Sequence, residues 1–576
     1  MIGVRASRYR HLAIRSIHTP TVPKLYLNNV ELSGNDLRNI PTHELFTKFG
    51  FIHHPKPGLV HWLPVGLAIS QKVSQVIHHR MRECDAEEIN LSLLSSSQLW
   101  QETGRWDNTE LFKLKDSSKN DFCLVATCEE EITKLVSSNI NSYKNLPLLY
   151  YQINEKFRDE KRPRSGLLRG REFLMKDAYS FDLNEEAAME TYNKVVDAYY
   201  EIFQDLKIPF VKADADTGEI GGSLSHEWHY LHNVGEDTLF TCDECGNSSN
   251  IEKTLSFPED VDESIDVSVQ YFMTKDKGTL VCAYYPTERS IEPSFVKEEI
   301  PDLDLIETNQ DTILNEFSNE DTLISKKIIR IMDSRLNLRS NFPDFPIKFI
   351  NRSLITTLTD IPIVTAVENE ICAKCEDGHL KLHRAIEVGH TFYLGDKYSD
   401  PLKCEVEVPN TEGGLTFTNV LMGCYGIGIS RIIAAIGEIN KDSNGFRWPS
   451  IIAPWNVTVV QSPKFDNSKG SLVYELLNAA GISYRLDNRP KIGLGKKIKQ
   501  SHMVGIPLTV ILGNQFPLVE IEIRGRRYTD DLQWKRLYET RDFEWEIVTD
   551  AEGNDIKHLV HIDGVASAIN SLLIDM

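Results

Sequence analysis

The 576-residue sequence predicts an α+β protein built from several domains. Three observations carry that expectation. A charged hairpin of two alternating strands fills residues 151–182. An alternating strand runs into an apolar helix at 414–436. From Trp455 onward, strands and helices take turns. A chain of this length outgrows a single hydrophobic core, and about three or four domains are expected.

The first twenty residues are basic and free of acid. Arg5, Arg8, Arg10 and Arg15 recur among small and apolar residues, and the first carboxylate is Glu31. That composition predicts a mitochondrial transit peptide over residues 1–23, removed on import, and places the mature protein in the mitochondrial matrix. The rest is acidic, for a formal charge of −21. Such a balance argues against a general nucleic-acid coat, although local patches can still meet phosphates. Residues 258–322 alone hold 17 Asp and Glu against 4 Lys and Arg, so this one segment carries more than half of the imbalance. No apolar run approaches the ~18–20 residues that span a bilayer, so no membrane partner is expected. The ten cysteines sit mostly singly in apolar runs, which fits a reducing compartment.

Pro64 and Gly66 open a helix whose apolar residues Ile69, Val73, Val76 and Ile77 fall on one face. An extended segment follows near residues 89–94. Thr127 and Glu129 then stand just before another helix, with Glu129, Glu130 and Glu131 suited to its positive N-terminal end. In the hairpin, Arg158 and Glu160 are two apart and share a strand face, as do Phe173, Met175, Asp177 and Tyr179 on the return strand. The loop between them, residues 161–171, carries Lys161, Arg162, Arg164, Arg169 and Arg171 and no acid. A guanidinium for a phosphate, a carboxylate for an amine and a ring for a base make a nucleotide site. A helix over about 185–206 follows, then the run GGSLSHEW with Ser223, Ser225 and His226. At 414–436 a strand is read as turning through Gly423, Gly426 and Gly428 into a helix with Arg431 near its start. A cation at that end is unfavourable unless an anion is expected there. Beyond Trp455, three strands and two helices suggest a small mixed-sheet domain, with Arg489, Lys491, Lys496 and Lys497 as its basic patch.

Taken together, these stretches resemble class II aminoacyl-tRNA synthetases, and specifically prolyl-tRNA synthetases of the bacterial type. The resemblance covers about residues 49–250 and 388–512. The helix and strand some 85 residues before FRDE resemble motif 1, FRDE and its hairpin motif 2, and the strand and helix with Arg431 motif 3. The implied fold is the class II antiparallel-sheet catalytic core over 40–255 and 371–451. An insertion at 256–370 interrupts it, and an α/β anticodon-binding domain at 452–576 follows.

The resemblance also implies roles. Arg158 would hold the α-phosphate of ATP and the carboxylate of the activated amino acid, Glu160 the adenine amino group, Phe173 the adenine face and Arg431 the γ-phosphate, with Mg²⁺ on the phosphates. Thr127 and Glu129 would take the proline imino group, whose two protons need two acceptors, in a pocket shared with Asp177 and His226. Arg162, Arg164 and Arg169, with Lys496 and Lys497, would meet tRNA(Pro), and motif 1 would join two copies as a homodimer. The insertion looks shorter than in many bacterial relatives and reads as a remnant that does not edit. A related enzyme for threonine, serine or histidine would differ at Thr127–Glu129 and in GGSLSHEW. A relic without chemistry would have lost an arginine of motif 2 or 3.

Two CxxC pairs, Cys242 with Cys245 and Cys372 with Cys375, flank the insertion with 126 residues between them. Four thiolates in two close pairs can close a structural Zn²⁺ site if the fold brings them together. Unliganded thiols are the alternative.

Overall fold

The computed structural model describes residues 21–24, 36–164, 166–218, 220–259, 265–318, 326–337, 339–345, 354–409, 414–463, 465–551 and 553–576. The expected presequence lies outside them except for residues 21–23. The chain divides into two compact units, residues 1–209 with 395–576, and residues 210–394. The dividing points fall outside the expected insertion at 256–370, for a topological reason. Core strands Val211–Asp214, Leu224–Leu231, Asp237–Cys242 and Ser248–Asn250 pair with one another or with Leu380–Gly395, and so travel with the insertion.

In the first unit, α1 (Pro64–Glu83) starts with proline at a position where its missing N–H costs nothing. It buries Ile69, Val73, Val76 and Ile77, the predicted face. Helix α2 (Glu129–Asn139) follows with three acidic residues in its first turn. The hairpin is β1 (Leu148–Phe157) and β2 (Glu172–Asp182), antiparallel from Leu148↔Phe181 to Phe157↔Glu172. Helix α3 (Glu185–Asp205) is capped by the Asn184 side chain on the Ala187 amide. Strand β3 (Leu421–Gly428) pairs antiparallel with β2 and passes directly into α4 (Ile429–Ile439).

This corrects one expectation, because Gly423, Gly426 and Gly428 lie within a strand rather than a turn. At Gly423 the reason is close approach. A Cβ there would meet the Tyr425 hydroxyl at 2.2 Å and Ser180 Oγ at 2.7 Å.

The C-terminal part forms a six-stranded sheet. Three parallel strands, Tyr484–Asp487, Val457–Gln461 and Leu508–Leu512, continue into three antiparallel ones, Leu518–Ile523, Asp555–His561 and Trp545–Thr549. Helix Val565–Ile574 buries Val565, Ala568, Ile569 and Leu572 in the core of this sheet.

In the second unit the insertion folds around a five-stranded sheet, in the order Leu303–Asp304, Val267–Thr274, Thr279–Pro286, Lys327–Asp333, Ile355–Ile361. Val296 packs in one of its hydrophobic clusters and Ile313 with Phe317 in the other. The acidic segment therefore has a core of its own. Among the described residues no helix is long and apolar enough to cross a membrane.

Candidate active site

The hairpin register builds the site. Gln152 stands opposite Asp177, Asn154 opposite Met175 and Lys156 opposite Phe173, so residues 152, 154, 156 and 158 continue the face of 173, 175, 177 and 179. Just beyond β1, the Arg158 guanidinium lies over the Phe173 ring, 5.3 Å from its centre, and the Arg158 amide donates to the Arg171 carbonyl at 2.9 Å. Glu160 is nearly buried and pairs with Arg169, Nε to Oε1 at 2.9 Å. Arg162 and Arg164 are exposed on the loop, whose neck is closed by backbone bonds between Arg164 and Arg169. Arg431 reaches this loop from the first turn of α4, donating from Nε to the Leu168 carbonyl at 3.0 Å.

Deeper in the sheet, the Thr127 hydroxyl donates to Glu129 Oε1 at 2.7 Å, and Cys424 Sγ donates to the same oxygen at 3.1 Å. Arg105 Nη1 bridges Glu129 Oε2 at 3.1 Å and Glu130 Oε1 at 3.0 Å, with its guanidinium over Trp100 and Tyr398. Two fully buried carboxylates thus share one cation. They divide the charge between them, because like charges this close cannot both ionise cheaply. Burial opposes the charge on Glu129, but Arg105, Thr127 and Cys424 outweigh it and hold Glu129 below its ordinary range. Burial pushes Glu130 up to about 7 despite Arg105.

Asp177, expected in the amino-acid pocket, sits within a hydrogen-bond network. It is buried, and Lys156 Nζ (2.7 Å), Gln152 Nε2 (2.8 Å) and the Tyr179 hydroxyl (2.8 Å) all donate to it. Tyr179 accepts in turn from the Cys128 amide at 2.9 Å and lies 3.4 Å from Thr127 Oγ1. Asp177 and Tyr179 thus link the hairpin to the segment bearing Thr127.

His226 belongs to the second unit, on strand Leu224–Leu231, with Nε2 3.4 Å from Asp214 Oδ1. That hydrogen bond is the main reason the Asp214 carboxyl sits below its usual range. Ser223 and Ser225 line a cavity of about 1010 Å³ in the same unit, together with Lys253, Lys297 and Lys374.

Of the C-terminal basic patch, Lys496 is exposed but Lys497 is not. Lys497 is buried and its Nζ donates to the Asp487 carbonyl at 2.9 Å. The helix Leu494–Val504 turns Lys497 toward the sheet, so the expected patch loses that member.

The four cysteines converge, with their sulfurs all within 4.8 Å of one another and Cys242 3.6 Å from Cys375. Pairing of Cys372 with Ser256, and of Cys242 with Leu380, closes the long sequence gap. The Gly378 amide donates to Cys375 Sγ at 3.4 Å, and a Cβ on Gly378 would meet Cys242 Sγ at 2.4 Å. The amides of Asp377 and Gly378 bring the Cys375 thiol down to about 7. Sulfurs of a tetrahedral Zn²⁺ with ~2.3 Å bonds stand about 3.8 Å apart, so this donor set fits the metal.

Comparison with known proteins bears on this geometry. The family model "tRNA synthetase class II core domain (G, H, P, S and T)" matches residues 112–440. The chain is 56% identical over 98% of its length to the cytoplasmic proline–tRNA ligase of Candida albicans, covering 99% of that protein. The chain belongs to the prolyl-tRNA synthetases of class II. It is also 46% identical, over 95% of its length and 97% of the other's, to the probable mitochondrial proline–tRNA ligase of Saccharomyces cerevisiae. The fold matches that of Cryptosporidium parvum prolyl-tRNA synthetase complexed with L-proline and AMP. That TM-score is 0.57 at 13% identity, over 97% of this chain and 80% of the other.

As a proline–tRNA ligase, the protein couples cleavage of ATP to AMP and pyrophosphate to esterification of tRNA with proline. Several residues that organise its site carry no signal by themselves in the sequence. Arg105 stands 24 residues before Glu129, and only folding joins them. Lys156 and Gln152 were within reach, since they lie two and six residues before Arg158 on one alternating face. Cys424 lies in the motif 3 strand of this synthetase, where the run of glycines hides it.

Proposed function

We propose that Thr127 and Glu129 hold the proline imino group while Arg158 bridges the proline carboxylate and the α-phosphate of ATP. Phe173 stacks on adenine, Glu160 accepts from its amino group, and Arg431 holds the γ-phosphate. The observation that carries this reading is the shared hairpin face, on which Arg158 and Phe173 stand over the network that fixes Thr127 and Glu129. ATP enters with Mg²⁺, whose charge offsets that of the phosphates when bound.

In this mechanism a proline carboxylate oxygen attacks the α-phosphorus and pyrophosphate leaves, giving prolyl-adenylate. The terminal ribose of tRNA(Pro) then takes the prolyl group and releases AMP. No side chain acts as nucleophile; orientation and fixed charge lower the barrier. Glu129, kept ionised by Arg105, supplies the charge that a secondary ammonium seeks, and the bond from Thr127 fixes which oxygen faces it.

Arg162, Arg164, Arg169 and Lys496 meet the tRNA backbone. The four cysteines hold one structural Zn²⁺. Two copies associate through α1, and the enzyme works in the mitochondrial matrix, a reading supported by the basic presequence and the mitochondrial relatives.

Substrate-specific kinetics test these assignments. Thr127→Val should raise KM for proline about tenfold, the effect of one lost buried hydrogen bond, with KM for ATP unchanged. Glu160→Gln should do the reverse. If either variant shifted both constants equally, the division of roles would fail.

A further inference from the structure

A second cluster of ligating side chains lies in the second unit, apart from the four cysteines. Strands Leu224–Leu231 and Leu380–Gly395 pair antiparallel, with Glu227 opposite His390 and His229 opposite Glu387. On an unbroken strand, residues three apart point to opposite faces. Here the register shifts between Trp228 and His229, leaving Val388 without a partner residue. That bulge turns Glu387 onto the face of His390, so Ser225, Glu227, His229, Glu387 and His390 all share one side of the sheet. Bulges of this kind re-aim side chains beside functional sites.

The contacts have the form of a coordination shell lacking its centre. His390 Nε2 is 2.5 Å from Ser225 Oγ, which leaves Nδ1 facing the carboxylates. From Nδ1, Glu227 Oε1 is 3.8 Å away and Glu387 Oε1 is 3.6 Å away. Both separations are too long for hydrogen bonds. They lie near the edge of a tetrahedron with ~2.1 Å bonds, about 3.4 Å. Glu227 Oε2 is held by His229 Nε2 at 2.9 Å and by Asn250 Nδ2 at 3.3 Å, which leaves Oε1 turned toward His390. Two buried polar atoms at this cluster, Asn250 Oδ1 and His229 Nδ1, have no partner; Asn250 is 7% exposed and His229 0%. Fixing each ligand through its other polar atom is how metal sites orient their donors.

We propose that Glu227, Glu387 and His390 bind a first-row divalent cation. Two carboxylates and one imidazole suit Mn²⁺, Co²⁺ or Zn²⁺, whereas the thiolates of the cysteine cluster favour Zn²⁺. The ion pins the two strands at the bulge, with Glu227 drawn from the GGSLSHEW segment itself.

The test titrates the purified full-length protein with Mn²⁺ in the absence of ATP, reading free Mn²⁺ by electron paramagnetic resonance. About one saturable equivalent is expected, with affinity reduced at least about tenfold in Glu387→Gln. Pulsed resonance on the wild-type complex should show coupling to a histidine nitrogen, which decides the matter even if Glu387→Gln folds poorly. Absence of saturable binding, absence of nitrogen coupling, or equal affinity in a folded Glu387→Gln would each overturn the proposal.

Discussion

Arg158→Ala is expected to abolish proline-dependent ATP–pyrophosphate exchange while the protein stays folded. The guanidinium lies over Phe173 just past the end of β1, and the backbone there is anchored independently by the Arg158 amide on the Arg171 carbonyl. Truncation therefore removes a charge without unpicking the hairpin. A single oriented donor to a developing anion is worth on the order of 3–4 kcal/mol. With this cation proposed to serve both the carboxylate nucleophile and the phosphate it attacks, the exchange rate should fall by about a hundredfold to a thousandfold. Arg158→Lys should recover little, since a point charge cannot reproduce the planar fork. The check is exchange kinetics beside circular dichroism; near-normal exchange in a folded Arg158→Ala would remove Arg158 from the chemistry.

The largest stability effect is expected at Arg105. Its side chain is 12% exposed and is the cation shared by Glu129 and Glu130, both 0% exposed. Arg105→Met keeps the bulk over Trp100 and Tyr398 but leaves two buried carboxylates without their shared cation. Breaking such a pair from one side costs about 3–5 kcal/mol.

The sign of the pH dependence follows from protonation. Without the arginine, folding favours the neutral acids, so the folded variant binds more protons than the unfolded chain. Its stability then falls as pH rises above the ordinary carboxylate range. The deficit relative to wild type should be smaller at about pH 5 than at about pH 8 in thermal melts. A deficit independent of pH would mean that Arg105 acts by packing alone. Loss of proline affinity should accompany the instability, because Glu129 would no longer hold its charge.

The parts of the fold legible in the sequence are those whose signal is local. Alternation exposed β1 and β2, helical spacing exposed α1, and the acidic start of α2 marked its N-terminus. What stayed hidden depends on long-range contact. Arg105 pairs with α2 across a loop, and the bulge at Val388 exists only in the register between distant strands. The burial of Lys497 depends on which face of its helix meets the sheet. Alternation puts Asp177 on the hairpin face, but its partners on β1, Gln152 and Lys156, emerge only from the register and the side-chain packing. The glycines of β3 were read as a turn because glycine usually is one; here Gly423 serves close packing against Tyr425 and Ser180.

The central claim is that Thr127, Glu129 and Arg158 form a proline-activating site, and ATP–pyrophosphate exchange measured with each of the twenty amino acids tests it most directly. The account predicts strong exchange with proline, at most weak exchange with the smaller alanine, which a proline pocket cannot exclude by size, and loss of the proline signal in Thr127→Val at limiting proline. Comparable exchange with threonine, serine or histidine, or a proline signal indifferent to Thr127, would contradict it.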